Sequence, residues 1–145
     1  MKKAFTLLEL IIVLAIIATI TAIPLLKVSF IDDLAADIEV EAFVNDYNLA
    51  RQKAMSTGGR YYLLLRKDFY YMGESYTSDV SKDDPQSVAF KHVNYLYRDN
   101  TIEFREDGYV RPKDGGSFEL AFKNKKSKKI RKFTISAITG YLDEK

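Results

Sequence analysis

Glu9 is the only charged residue between Phe5 and Leu26. Bringing a carboxylate into hydrocarbon costs about 2.5–3.5 kcal/mol, so a chain that keeps one there calls for a partner group. The preceding residues offer one. Met1-Lys2-Lys3-Ala4 is a short basic leader, followed directly by Phe5-Thr6-Leu7-Leu8-Glu9. Hydrolysis between Ala4 and Phe5 would free an amine on Phe5. On a neighbouring copy, or on a related subunit, that ammonium is a natural counter-charge for Glu9. A second cluster, Lys123, Lys125, Lys126, Lys128, Lys129, Arg131 and Lys132, packs seven cations into ten residues. Such a run attracts phosphate and releases counterions, so contact with DNA is one reading of it. Phe122 and Phe133 beside it read as core, and no base-stacking platform is visible. The other reading is a solvated turn whose lysines blunt a sheet edge.

Other chemistry is poorly supported. The only histidine is His92, next to apolar Val93. There is no nucleophile–base pair, no Gly-rich phosphate loop and no metal-ligand spacing. Asp32-Asp33 and Asp83-Asp84 read as a helix N-terminus and a loop. We therefore expect no enzyme activity, no catalytic residue, no cofactor and no metal. There is no cysteine, hence no disulfide. The formal net charge of +2 resides in Lys2 and Lys3, so the rest of the chain is balanced overall. Lys2 and Lys3 ahead of an apolar run should stay cytoplasmic and send the C-terminal part outward.

These residues need elements to position them. Leu10 to Leu26 is an apolar stretch of 17 residues, extended to a membrane-spanning length by Phe5 to Leu8. Pro24 should kink or loosen the helix locally. A secretory signal is cut after its apolar core at a small-x-small site, which Ile20-Thr21-Ala22 matches poorly. A plain single-pass anchor explains the length of the run but leaves Glu9 without a role. From Ile31 the pattern becomes amphipathic. Ala36, Val40, Phe43, Tyr47, Ala50 and Ala54 recur at steps of four and three, one helical stripe. Acidic residues early and Arg51 and Lys53 late suit the helix dipole. Gly58-Gly59 ends the helix. A helix from Phe5 to Thr57 would be about 80 Å long. Short strands follow at Arg60 to Leu65, Phe69 to Met72, within Val88 to Tyr97, at Thr101 to Phe104 and at Tyr109-Val110. Phe118, Leu120 and Phe122, then Phe133, Ile135 and Ala137, alternate with other residues as half-buried strands do. The basic cluster falls between these last two, on a hairpin tip and its flanks. Ser75 to Gln86 is polar and contains Pro85, so it reads as a surface loop. The expected fold class is α+β: a long N-terminal helix, half membrane and half amphipathic, packed on an antiparallel sheet domain. The expected division is a leader at 1–4, a transmembrane and assembly helix at 5–27, and a globular domain at 28–145 that includes the helix to about 57.

Lys3-Ala4-Phe5-Thr6-Leu7-Leu8-Glu9 with the apolar run after it resembles the class III signal of type IV pilins and pseudopilins. The family usually has Gly where this chain has Ala4. The resemblance implies cleavage by a prepilin peptidase between Ala4 and Phe5, methylation of the Phe5 amine, and an assembly role for Glu9. Leu49-Ala50-Arg51-Gln52-Lys53-Ala54-Met55 with Gly58 and Leu63 to Leu65 resembles the helix-to-strand junction of H-type minor pseudopilins. Phe133-Thr134-Ile135-Ser136 with Gly140 is similar to their last strand and turn. Arg51 and Lys53 there read as solvated helix residues, and Ala54 as packing on the sheet. The resemblance implies a pilin-like fold and a precursor in the inner or cytoplasmic membrane with its C-terminal domain outside. The assembled form would be an extracellular or periplasmic filament. Implied partners are other pilin or pseudopilin subunits, the prepilin peptidase, an assembly platform with its ATPase, the membrane, and, as an open question, DNA. The first expectation is a competence pseudopilus for DNA uptake. An H-type minor pseudopilin of type II secretion and a minor subunit of a type IV pilus stay open, with a single-pass membrane enzyme as a distant alternative. Some minor pilins of this fold bind DNA through basic residues near the C-terminus; here Gly140 is followed by Tyr141-Leu142-Asp143-Glu144 instead.

Overall fold

A computed structural model of the chain describes residues 6–113, 118–136 and 138–145, without the side chains of 22–29. Helix α1, Leu7–Thr57, is 51 residues long, about 76 Å at 1.5 Å per residue. Thr6 opens it in an extended conformation, and its hydroxyl accepts the Glu9 N–H at 3.3 Å. Gly58 closes it with φ of 66°, a left-handed conformation that a residue without Cβ adopts cheaply. The helix continues through position 24, so the proline there does not end it.

The expected stripe is the buried face. Ala36, Val40, Phe43, Tyr47, Ala50 and Ala54 are all at most 4% exposed. Two expectations about the helix need correction. Asp32-Asp33 lies inside α1 and not at a helix start. The helix is continuous there, so no free N–H groups await a cap, and sheet-side partners hold both carboxylates instead. The last turn also carries no cation, so the dipole is matched only at the first turn, by Glu9.

Among the described residues, nine strands form two antiparallel sheets instead of one. They are β1 (Tyr61–Leu65), β2 (Phe69–Gly73), β3 (Ser87–Ala89), β4 (Val93–Tyr95), β5 (Asn100–Phe104), β6 (Val110–Lys113), β7 (Glu119–Asn124), β8 (Ile130–Ile135) and β9 (Leu142–Glu144). The first sheet has the order β3-β2-β1-β5-β6 and the second β4-β7-β8-β9. The mixed segment 88–97 divides between them, β3 pairing with β2 and β4 with β7. Strand β9 had no clear sequence signal, being three residues with two acids. Ala137, expected on the alternating face of β8, lies outside the described residues.

Both sheets meet at the buried stripe of α1. Phe43 sits at the centre, 4.8 Å from Phe122 of the second sheet and edge-on to Tyr70 of the first at 5.2 Å. Tyr47 stands 4.9 Å from Phe104. Truncating such a buried aromatic costs about 3–5 kcal/mol. The polar loop after β2 is anchored as well as exposed. Its Tyr76 packs on Tyr62 at 5.8 Å, and Arg66 donates to the Ser78 carbonyl at 3.3 Å.

Candidate functional site

The N-terminal site begins with the helix start. Thr6-Leu7-Leu8-Glu9 has the Thr-x-x-Glu spacing of a capping box, and the Thr6 half of it is formed. Glu9 is thus the third residue of the helix, where the free backbone N–H groups favour a negative charge. Thr6 was not singled out from the sequence, although this spacing could have shown it. Glu9 is exposed, as are the apolar residues around it, from Leu7 at 77% to Ile20 at 63%. Between Leu7 and Thr21 the helix has no polar side chain apart from Glu9, Thr19 and Thr21, the two hydroxyls bond back to carbonyls of the same helix, and all these residues are exposed. A helix of this kind needs lipid or other helices around it. Among the described residues no helix is long and apolar enough to cross a membrane. The expected span 5–27 includes positions outside the description, as do Lys2, Lys3, Ala4 and the cleavage and methylation position Phe5.

The basic cluster lies where expected, on the turn between β7 and β8 and its flanks. Its cations are mostly engaged within the fold. Lys126 pairs with Asp32 at 2.7 Å and Lys129 with Asp37 at 3.3 Å. Lys125 Nζ donates to the carbonyls of Phe90 and Lys91 at 2.6 and 3.1 Å, and Lys128 Nζ donates to that of Lys125. Arg131 is the hub. Its Nε and Nη2 bind both oxygens of Glu144 at 2.6 and 2.7 Å, and Nη2 also reaches Glu41 at 2.7 Å. Those carboxylates raise the Arg131 pKa further, and Arg131 in turn holds the Glu144 carboxyl below the usual range. Parity explains the difference between neighbours. Arg131 shares a strand face with Phe133 and Ile135 and so points at α1. Lys123 and Lys132 share the opposite, outward face of the second sheet with Glu119.

Two residues that sequence reasoning missed attach the second sheet to the helix, one on this hairpin and one on α1 facing the start of β4. Asn124, 5% exposed, donates to Asp33 Oδ1 at 2.9 Å and accepts from the backbone N–H groups of Lys126 and Ser127 at 2.8 and 3.2 Å. Glu39 accepts three consecutive backbone N–H bonds, from Lys91 at 2.6 Å, His92 at 2.7 Å and Val93 at 2.9 Å. The turn bonds of Asn124 to residues 126 and 127 are a local signal the sequence offered, whereas its bond to Asp33 and those of Glu39 join positions more than fifty residues apart.

The far end of α1 is held by the C-terminal turn. Tyr47 donates its hydroxyl to the Gly140 carbonyl at 3.0 Å, and burial pushes that phenol's pKa up. A Cβ on Gly140 would lie 2.5 Å from Val110 Cγ2 and 2.9 Å from the Gly108 carbonyl, so this turn requires glycine. Arg51 is half-buried and lies over the Tyr141 ring at 4.4 Å, which corrects its reading as a solvated residue. Ala54, fully buried, packs as expected.

Among the described residues no group of acidic or histidine side chains is arranged to hold a metal ion. Residues 1–23 match the prokaryotic N-terminal methylation motif. No curated protein and no solved structure matches the chain.

Proposed function

We propose, from a chain that carries the processing signal of the type IV pilin and pseudopilin family, that it is a minor subunit of a filament built from such proteins. The signal marks a precursor that a prepilin peptidase processes and that assembles with other pilin subunits. In this proposal the peptidase cuts between Ala4 and Phe5, the Phe5 amine is methylated, and residues 5–27 hold the precursor in the membrane before moving into the filament core. Glu9 then pairs with the Phe5 amine of a neighbour. The observation that carries the reading is the match at residues 1–23 on a helix with two distinct halves. The first half is predominantly apolar and exposed; the second is docked on two sheets. The machine we favour is a competence pseudopilus, driven by an ATPase through a membrane platform, with a type II secretion pseudopilus as the alternative. In this proposal any DNA contact by this subunit uses the cations of the basic hairpin, among them Lys123 and Lys132 on the outward face of the second sheet.

Intact-mass measurement on the membrane-extracted chain tests the processing step. Loss of residues 1–4 and gain of one methyl group are expected. A cut near Ala22, or an intact Met1 in cells with an active peptidase, refutes the proposal. The Glu9→Ala variant should be processed and folded yet underrepresented in sheared filaments, because an unpaired ammonium would remain in an apolar core. Incorporation equal to wild type removes the assembly role of Glu9.

A further inference from the structure

Three contacts fix which way the basic hairpin points along α1. Lys126 meets Asp32, Arg131 meets Glu41, and the Tyr141 ring beyond β8 meets Arg51. Strand β8 therefore climbs the helix, and the turn before it hangs at the end nearest the apolar half. Leu26, where the apolar run stops, and Asp32 are separated by about 9 Å of helix axis. Phe30 lies between them, exposed at 67%. The only charge between Glu9 and Asp32 is Lys27. The turn exposes Lys126, Lys128 and Lys129, and Lys125 ties it to the carbonyl of Lys91, itself an exposed cation. Acids share this level but are turned inward. Asp32 is 20% exposed where its partner Lys126 is 68%, and Asp37 is 38% exposed where Lys129 is 57%. Asp33 is half-buried against Asn124. What this end of the domain offers beyond those pairs is positive charge.

We infer that in the membrane-held precursor this turn rests on anionic lipid headgroups, with Phe30 at the edge of the hydrocarbon. The inference rests on the reading that residues 5–27 hold the precursor in the membrane. Distance selects the partner. A headgroup layer is about 5–7 Å thick, and a surface charge acts over a further ~8 Å in physiological salt. A turn about 9 Å above the end of the apolar run lies within that range. Lipid phosphate therefore meets the lysines as soon as the helix is inserted, whereas a nucleic acid would have to enter the gap between domain and bilayer. Lys91, Lys126, Lys128 and Lys129 together make a cluster of the size that anionic lipid holds at a membrane surface. The contact would set the tilt of the domain on the bilayer and would be given up as the subunit leaves it.

The chain has no cysteine, so Ser127→Cys in the turn and Glu106→Cys, beside Gly58 at the far end of the helix, each carry a single thiol for a fluorophore. The full chain is reconstituted into vesicles of phosphatidylcholine, alone or with a third phosphatidylglycerol, both containing a lipid with a nitroxide quencher on its headgroup. Quenching at position 127 should rise about threefold with the anionic lipid and fall back when salt shortens the Debye length to ~3 Å, while position 106 should not respond. Lys128→Asn removes one charge at a left-handed position, φ 66°, that asparagine tolerates. It should lower the ratio of docked to undocked turn about fivefold and change melting little. Equal quenching at 127 in the two vesicles, in a chain that floats with both, overturns the lipid contact and leaves the membrane reading intact. Release of position 127 from the anionic surface by equimolar duplex DNA overturns it in favour of nucleic acid. A chain that floats with neither vesicle overturns the membrane reading and the contact with it.

Discussion

Glu39 should be the residue whose loss most loosens the helix from the second sheet. Its carboxylate accepts N–H bonds from Lys91, His92 and Val93 at 2.6–2.9 Å. A hydrogen bond to a charged group contributes about 1.5–3 kcal/mol, and one that water can replace contributes less. Lys91 and His92 are exposed, so water would take over there, whereas Val93 is 1% exposed and its N–H would be left without a partner. Weighing the three, Glu39→Ala should cost about 3 kcal/mol, a fall of roughly 10 °C in melting temperature for a domain of this size. Glu39→Gln keeps one acceptor oxygen and turns a donor toward the other N–H groups. Its loss should therefore be a large part of the alanine value, not a negligible one. The assay is thermal melting of the full chain in detergent, followed by circular dichroism, with hydrogen exchange at amides 91–93. Faster exchange confined to that turn, together with the lower melting temperature, is expected. If both variants melt with the wild type, or if the Val93 amide keeps its protection, the three-bond dock does not hold the helix.

The remaining predictions use other parts of the same scaffold. Replacing Lys123 and Lys132 with Gln should weaken any DNA binding seen at low salt and change melting little, because both lie on the outward face of the second sheet; anisotropy measurements that show binding unchanged would place the contact elsewhere. Arg131 holds the Glu144 carboxyl below its ordinary value of 4.5. The stability this contributes is fully present above pH 4.5 and is lost as pH falls through the lowered folded value, so Arg131→Gln should flatten the acid side of a melting-temperature profile. Burial raises the phenol pKa of Tyr95 to about 12, and burial, followed by the neighbouring Asp46, raises that of Tyr70 further. Stability should then be fully present below pH 10 and fall as pH rises toward the folded values, and these two phenols should ionise on unfolding; a smooth titration of every tyrosine near pH 10 in the folded chain would contradict this.

Local chemistry by itself determined much of this protein. The lone carboxylate in an apolar run, the basic leader before it and the small residue at the junction are neighbours in sequence, and their meaning depends on no distant contact. The stripe from Ala36 to Ala54 was equally legible, because a helix repeats every 3.6 residues wherever it packs. Gly58 as the stop and the hairpin under the lysines were also local signals. Tertiary structure decided what that hairpin is for. Seven cations in ten residues look like one basic patch in the sequence, yet strand parity turns Arg131 inward while Lys132 points outward. Asp32, Asp37 and Glu41, some ninety residues earlier, then meet Lys126, Lys129 and Arg131. The split into two sheets, the Glu39 dock at residues 91–93 and the Gly140 turn against Tyr47 are of the same kind. Each depends on groups that only the folded chain brings within hydrogen-bond range, where a short-ranged and directional interaction leaves no periodic trace in either partner's own segment.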